Sequence, residues 1–185
     1  MKKVLKIGGG IVVALLLVVL AYVIYVFAAY DRIEDNQALD VRDPLASETA
    51  VPTATDLSIT SWNIGFGAYT DEFSFFMDGG EYSRGFSEES VTNAVETMAA
   101  ELKEMNSDFY LIQEVDVDAT RSYHINEYDI IAEPFSSMNK VYAQNYDSPY
   151  LFYPILKPHG KSVAGMVTMS DYSITSSLRL SLIHI

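Results

Sequence analysis

The amino-acid sequence predicts an α/β domain that is preceded by one transmembrane helix. Residues 7–30 form an uncharged, mostly apolar stretch that is long enough to cross a bilayer as a helix. Residues 57–115 show the periodicity of a strand, then of a helix, then of a second strand. Helices that alternate with strands are typical of an α/β sheet with helices packed on it.

The apolar stretch is predicted to be a membrane anchor. A helix rises about 1.5 Å per residue, so residues 7–30 can cross a hydrocarbon core of about 30 Å. Lysines in residues 1–6 and acidic residues after the stretch predict a cytoplasmic amino terminus and an extracellular domain at the cell membrane. The alternative is a cleaved signal peptide, because Ala28 and Ala29 are small residues near a possible cleavage site. The length of the apolar run favours an uncleaved anchor.

The charge after the anchor is strongly negative. Three of the 12 basic residues precede the apolar stretch, so 9 basic and 25 acidic residues follow residue 30, a net charge of −16. This balance argues against a general nucleic-acid binder, but it is compatible with an enzyme that uses a metal ion. The chain has no cysteine, which excludes disulfides and thiolate metal sites. Residues 31–56 show no sustained periodicity and are predicted to be an extracellular stalk.

A strand, a helix and a second strand open the domain. Residues 57–62 alternate between apolar and polar side chains, and residues 63–86 form a long glycine-containing loop. Ser87 can cap a helix that ends near Asn106, and residues 109–115 resemble a buried strand. A crossover of this kind is right-handed and joins two parallel strands. Asn63 and Glu114 are therefore predicted to lie together at the carboxyl edge of the sheet, where open α/β sheets bind ligands.

Four further strands are predicted in the carboxyl-terminal part of the sequence, where prolines separate short apolar runs. They are Tyr128–Ala132, Lys140–Ala143, Tyr150–Tyr153 and Ser162–Met169. The long loop is rich in aromatic residues, which predict either a rim around a binding site or a hydrophobic plug, and the plug is favoured.

Glu114 is the candidate with the clearest chemistry. A carboxylate within an apolar strand is costly to bury unless it is paired or binds a metal ion. Mg²⁺ prefers oxygen ligands and often uses one or two carboxylates together with a substrate phosphate. Asn63 adds an amide oxygen at the same edge, which is suitable as a second metal ligand or as a contact for phosphate. The alternative is a strand-end glutamate that pairs with Arg121 or Lys161.

Three motifs in order resemble those of the endonuclease/exonuclease/phosphatase family. They are Ser-Trp-Asn-Ile at residues 61–64, Leu-Ile-Gln-Glu-Val-Asp at 111–116 and Gly-Met-Val-Thr-Met-Ser at 165–170. The resemblance covers residues 57 to about 180. It implies a layered α/β sandwich of the deoxyribonuclease I-like type and hydrolysis of a phosphodiester or phosphomonoester.

The resemblance also assigns roles to particular residues. Glu114 would bind Mg²⁺, with Mn²⁺ or Ca²⁺ as alternatives, and Asn63 would help to organise the metal and the phosphate. Arg121 would contact phosphate as a third catalytic residue, although a salt bridge with a nearby acid is an equal alternative. Asn145 and Lys161 are candidates for substrate binding, and otherwise are turn or surface residues.

The family's later motifs have no counterpart in this sequence. They are a phosphate-binding histidine, an Asp-x-Asn pair and a final Asp-His pair, and none of the three histidines (His124, His159 and His184) stands in the expected setting. Residues 57–185 are therefore expected to be a partial domain without its carboxyl-terminal half, inactive as it stands.

Acidity and the anchor favour a phospholipid or a small phosphoester as substrate over nucleic acid, and no protein partner is implied. An extracellular nuclease, a non-catalytic binding domain of the same fold and a chance match of the motifs are the alternatives.

Overall fold

A computed structural model describes residues 2–42 and 49–180, and in this part of the chain it shows a mixed α/β domain that follows a long helix. The long helix is α1 (Lys2–Ala28). The elements after it are β1 (Gln37–Ala38), β2 (Ile59–Asn63), α2 (Glu88–Met105), β3 (Phe109–Ala119), α3 (Glu127–Ala132), β4 (Asn139–Asp147), β5 (Ser162–Ser170) and β6 (Leu178–Arg179).

Helix α1 confirms the prediction of an amino-terminal helix that is long and apolar enough to cross a membrane. It comprises 27 residues and none of them is buried, so the domain leaves most of its apolar surface uncovered. It begins within the predicted cytoplasmic residues and ends two residues before the predicted boundary at residue 30. The direction in which α1 crosses a membrane stays a prediction.

The main sheet has four strands in the order β2-β3-β5-β4. Strands β2 and β3 are parallel, as the strand–helix–strand pattern predicts, whereas β5 runs antiparallel to both β3 and β4. The ends of β3 and β4 and the start of β5 lie at one edge of the sheet, whereas β2 ends at Asn63, opposite Gln113, six residues before β3 ends.

The core lies between one face of this sheet and the helices α2 and α3. Ser87 caps α2 as predicted, because its hydroxyl accepts a hydrogen bond from the Ser90 N–H at 3.0 Å. One face of α2 is fully buried against β3 through Val91, Val95 and Leu102. This packing places α2 over the face of the sheet on which the core lies.

The aromatic loop between β2 and α2 forms a small second core. Phe66, Phe73 and Phe75 are buried there, and their rings make edge-to-face contacts. The structure thus confirms the favoured prediction of a hydrophobic plug, while Tyr69 and Phe86 remain exposed at its surface.

Two of the predicted strands are wrong. Residues 128–132 belong to α3, in which Tyr128 and Ile131 are buried three residues apart and Asn126 caps the first turn. Residues 150–153 form no strand and make a single bridge, from Leu151 to Gly160. A short apolar run does not distinguish a strand from a helix or an apolar loop, which explains both errors.

The predicted stalk, residues 31–56, lies partly along the domain. Strand β1 pairs with β6, and Arg42 exchanges two backbone hydrogen bonds with Lys140, at 2.7 and 3.0 Å. Residues 43–48 lie outside the described residues. The polar composition of this segment did not reveal these pairings, because backbone groups make them.

Candidate functional site

Asn63 and Glu114 are in contact, as the sequence predicts, but β3 extends to Ala119, so Glu114 lies in the middle of its strand, beside the carboxyl end of β2, rather than at a strand end. The side-chain amide Nδ2 of Asn63 donates a hydrogen bond to Oε1 of Glu114 at 2.9 Å, although the two residues lie 51 positions apart. Parallel pairing of β2 with β3 places Asn63 opposite Gln113 and so produces this contact. The pair lies at a partly exposed position that solvent reaches.

Glu114 occupies an irregular position in β3. The pairing of β3 with β5 shifts between Ile112 and Val115, and Glu114 has a φ of 56°, in the left-handed region that non-glycine residues rarely adopt. A bulge of this kind changes the direction of a side chain. Such a backbone costs about 1–3 kcal/mol and is found most often at functional sites.

The orientation of the Asn63 amide follows from a second hydrogen bond. The backbone N–H of Gly65 donates to Oδ1 of Asn63 at 2.9 Å, and a backbone N–H can only donate. The amide oxygen therefore points to Gly65 and the amide nitrogen to Glu114. This geometry gives Asn63 an orienting role towards Glu114, and the second lone pair of its amide oxygen leaves the predicted role of a metal ligand open.

Glu114 fits the role of a carboxylate ligand for a divalent cation. In the described part of the chain, Asn63 is its one hydrogen-bond partner, so Oε2 keeps its lone pairs. Mg²⁺ is often held by one or two carboxylates, and water and substrate phosphate complete the shell. No group of three His, Cys, Asp or Glu side chains that could hold a metal occurs among residues 2–42 and 49–180.

Arg121 is held in a buried ion pair rather than presented to a substrate. Its Nε and one terminal nitrogen donate to the two carboxylate oxygens of Asp116 at 2.9 and 2.8 Å, and Asp116 is fully buried. The guanidinium also lies over the ring of Phe66, 4.0 Å from its centre. The structure thus shows the salt bridge that the sequence left as an alternative, with an acid two residues beyond Glu114.

Glu127 completes this buried cluster, which the sequence did not reveal. Its Oε2 accepts the backbone N–H of Asp116 at 2.8 Å, and its Oε1 is buried without a hydrogen-bond partner among the described residues. Burial, and then the charge of Asp116, raise the pKa of Glu127 well above its usual value. Glutamate at the start of a short helix is common, so its sequence position carried no signal.

We expect Glu127→Gln to change how stability depends on pH. The pKa of Glu127 in the native state lies above its ordinary value of 4.5, so the native state binds more protons than the unfolded state at any pH between 4.5 and the native pKa. The stabilisation of the native state by this proton is fully present below pH 4.5. The free energy of unfolding then falls as the pH rises from 4.5 through the native pKa. Glutamine cannot ionise, so the variant should lose this dependence.

Thermal unfolding between about pH 5 and pH 8 measures the pH dependence of stability, and an unchanged profile relative to wild type would contradict a protonated Glu127. Glu104→Gln, at an exposed position on α2, is the matched control.

Asn145 lies in the same row of the sheet as Glu114, on the far side of β5. Gly165 pairs with Val115 on one side and with Gln144 on the other, and Asn145 is the extra residue of a bulge in β4. Two strand spacings separate its backbone from that of Glu114, about 10 Å. Asn145 is exposed but is not in contact with the Asn63–Glu114 pair.

Lys161 lies farther from the pair. Its Nζ forms a surface ion pair with Asp147 at 3.3 Å. Lys161 directly precedes β5 and stands four positions before Gly165, about 13 Å along the strand. His124 is the histidine nearest to Glu114 in the sequence. It pairs with Asp118 at 2.5 Å, at an exposed position about as far from the Asn63–Glu114 pair as Lys161 is.

Tyr69 is a neighbour of the site that the sequence did not single out. Partial burial raises the pKa of Tyr69 to about 12, with smaller contributions from a hydrogen bond to Asp78 and from the charge of Glu114. A side chain at Gly65 would clash with the Tyr69 ring, so this glycine allows the ring to pack there. Tyr69 keeps its proton at neutral pH, and its hydroxyl donates to Oδ2 of Asp78 at 3.2 Å.

Comparisons with protein-family models, with curated proteins and with solved structures found no match to this chain.

Proposed function

We propose that this protein is a membrane-anchored, metal-dependent phosphoesterase whose catalytic site contains Glu114 and Asn63. The observation that supports the proposal most is the hydrogen bond between these two side chains beside the carboxyl end of β2. It joins the two motifs whose order and spacing resemble the endonuclease/exonuclease/phosphatase family. The layered deoxyribonuclease I-like fold is part of the same proposal.

Each residue of the pair has a distinct task in this proposal. Glu114 binds the cation through its carboxylate, and Asn63 holds that carboxylate in one orientation because Gly65 fixes the Asn63 amide. Mg²⁺, or Mn²⁺ or Ca²⁺ in its place, would polarise the phosphoryl oxygen and stabilise the charge that develops on it. Arg121 acts indirectly, since it ties the loop after β3 to Asp116.

The surroundings of the domain suggest the class of substrate. A net charge of −16 after residue 30 repels long polyphosphates, so a phospholipid or a small phosphoester is favoured over extracellular nucleic acid. Lysines before α1 and acids after it favour a cytoplasmic amino terminus and an extracellular domain at the cell membrane.

A non-catalytic binding domain is the second candidate. It is favoured by the ion pair between Arg121 and Asp116, because the basic residue that the resemblance assigns to phosphate binds a carboxylate instead.

Hydrolysis of model substrates in lipid nanodiscs tests the proposal, with the protein expressed from its whole gene, because the family's later motifs have no counterpart in residues 1–185. Bis(p-nitrophenyl) phosphate, p-nitrophenyl phosphate and a short-chain phospholipid are each incubated with Mg²⁺ or with EDTA. We expect product release that requires the metal and is lost in Glu114→Gln but retained in Glu104→Gln. Metal-dependent binding of inorganic phosphate without product release would favour the binding domain, and the absence of both would contradict the proposal.

A further inference from the structure

The loop between β4 and β5 exposes a cluster of large apolar side chains. Within residues 151–156, here called the apolar loop, the exposed fractions are 57% for Phe152, 67% for Tyr153, 84% for Ile155 and 96% for Leu156. Single apolar residues on a surface are ordinary, but a contiguous cluster marks a surface that contacts a partner or a membrane.

The apolar loop and the residue before it contact the end of α1 directly. The Tyr22 hydroxyl donates to the backbone oxygen of Tyr150 at 3.3 Å and accepts the N–H of Phe152 at 3.2 Å. The Tyr25 hydroxyl accepts the N–H of Tyr150 at 3.1 Å. The rings of Tyr22 and Phe152 also meet edge to face, with centres 5.5 Å apart. These contacts hold the apolar loop beside α1.

The position of these contacts along α1 sets the depth of the loop. About 20 helical residues cross a hydrocarbon core of about 30 Å, so a span that begins at Ile7 leaves the hydrocarbon near Val26. Tyr22 and Tyr25 then lie in the last turns of the span, where tyrosines are enriched at the membrane interface. Phe152 touches Tyr22 and therefore lies at the same depth.

Charge around the apolar loop also suits a lipid surface. Residues 148–161 contain Lys157 and Lys161 and no acidic residue, in a region whose net charge after residue 30 is −16. Lys157 directly follows the apolar cluster and is exposed. A lysine next to inserted apolar side chains can reach the phosphates of lipid head groups.

We propose that the apolar loop inserts into the lipid leaflet beside α1 and gives the domain a second contact with the membrane. This inference requires that α1 spans the bilayer, and it does not depend on the phosphoesterase activity. The far end of the loop is tied to the domain, because the Ser83 hydroxyl and Arg84 Nε donate to the backbone oxygens of Lys157 and Pro158 at 2.5 and 2.7 Å. Insertion therefore fixes the orientation of the whole domain.

The orientation has a consequence for the candidate site. The apolar loop leaves β4 and enters β5 at the edge of the sheet where β3 ends. Insertion turns this edge towards the membrane, and Glu114 then lies five residues before the end of β3, about 16 Å farther along the strand.

Fluorescent labelling of single cysteines tests the insertion, since the natural chain has no cysteine. Leu156→Cys and, as a second position, Ile155→Cys are labelled with a nitrobenzoxadiazole dye in the full chain in lipid nanodiscs. Ile59→Cys is the matched control, an apolar residue that is 64% exposed at the opposite edge of the sheet. Emission of Trp62 that matches the wild type shows that each variant is folded.

We expect blue-shifted dye emission at residues 155 and 156 and strong quenching by lipids that carry a spin label just below the head group. The dye at residue 59 should emit as in water and should not be quenched. Water-like emission at both loop positions would overturn the proposal. Blue-shifted emission that lipid spin labels fail to quench would also overturn it, because a protein surface or a second copy of the chain would then cover the loop.

Discussion

Glu114→Gln should weaken the binding of Mg²⁺ by about 100-fold or more, since loss of an outer-shell partner already costs about 10–100-fold. Glutamine keeps the size of the side chain and can still bond to Asn63, but it removes the negative charge that binds a hard cation. The loss should therefore appear in metal affinity rather than in folding. Titration of the full chain in detergent micelles with Mg²⁺ measures it, by calorimetry and by fluorescence of Trp62, the only tryptophan and the neighbour of Asn63.

A variant of Asn63 tests its orienting role, and a variant of another carboxylate on β3 is the control. Asn63→Leu should weaken Mg²⁺ binding by about 10–100-fold, because it removes the group that orients the Glu114 carboxylate. Asp118→Asn removes a carboxylate from the same strand about 13 Å away and should leave affinity unchanged. If Glu114→Gln lowered stability while Mg²⁺ affinity stayed the same, the motif matches would be fortuitous and Glu114 would be a structural residue.

The parts of the fold that the sequence predicts correctly are those with long or repeated signals. The apolar stretch before residue 30, the capped periodic pattern of α2 and the continuous apolar run of β3 each involve many residues in one pattern. The strands and helix that they predict are enough to bring Asn63 and Glu114 together. The rule that a strand–helix–strand crossover joins two parallel strands was enough to predict this contact, without any knowledge of side-chain positions.

The parts that the sequence misses depend on interactions between distant residues. The three-dimensional path of the loop after β3 decides whether Arg121 contacts a substrate or Asp116. The sequence has many acidic residues nearby and does not show which of them Arg121 binds. The left-handed backbone of Glu114 is set by the register of β5 against β3. A strand was predicted at residues 150–153, but Phe152 and Tyr153 lie exposed in a loop, because composition alone does not distinguish a buried apolar run from an exposed one.

The buried ion pair gives the largest predicted effect on stability. Arg121→Met should lower the free energy of unfolding by about 3–5 kcal/mol, because Asp116 then stays buried without its cation. Desolvation works against the charge of Arg121, but the hydrogen bonds and the charge of Asp116 outweigh it and raise the pKa of Arg121. Since many domains are stable by only about 5–15 kcal/mol, the loss is a large share of the total. Urea unfolding of the full chain in detergent, followed by Trp62 fluorescence, measures it.

Comparison with an exposed ion pair shows whether burial causes the effect. The Lys161–Asp147 pair leaves 52% of the lysine side chain exposed, so Lys161→Met should cost less than about 1 kcal/mol. Asp116→Leu added to Arg121→Met should recover part of the loss, because it removes the buried carboxylate that the single variant leaves unpaired. If Arg121→Met cost no more than Lys161→Met, Arg121 would not be needed for folding. Its guanidinium could then leave Asp116 and bind a phosphate beside Glu114, as the resemblance implies.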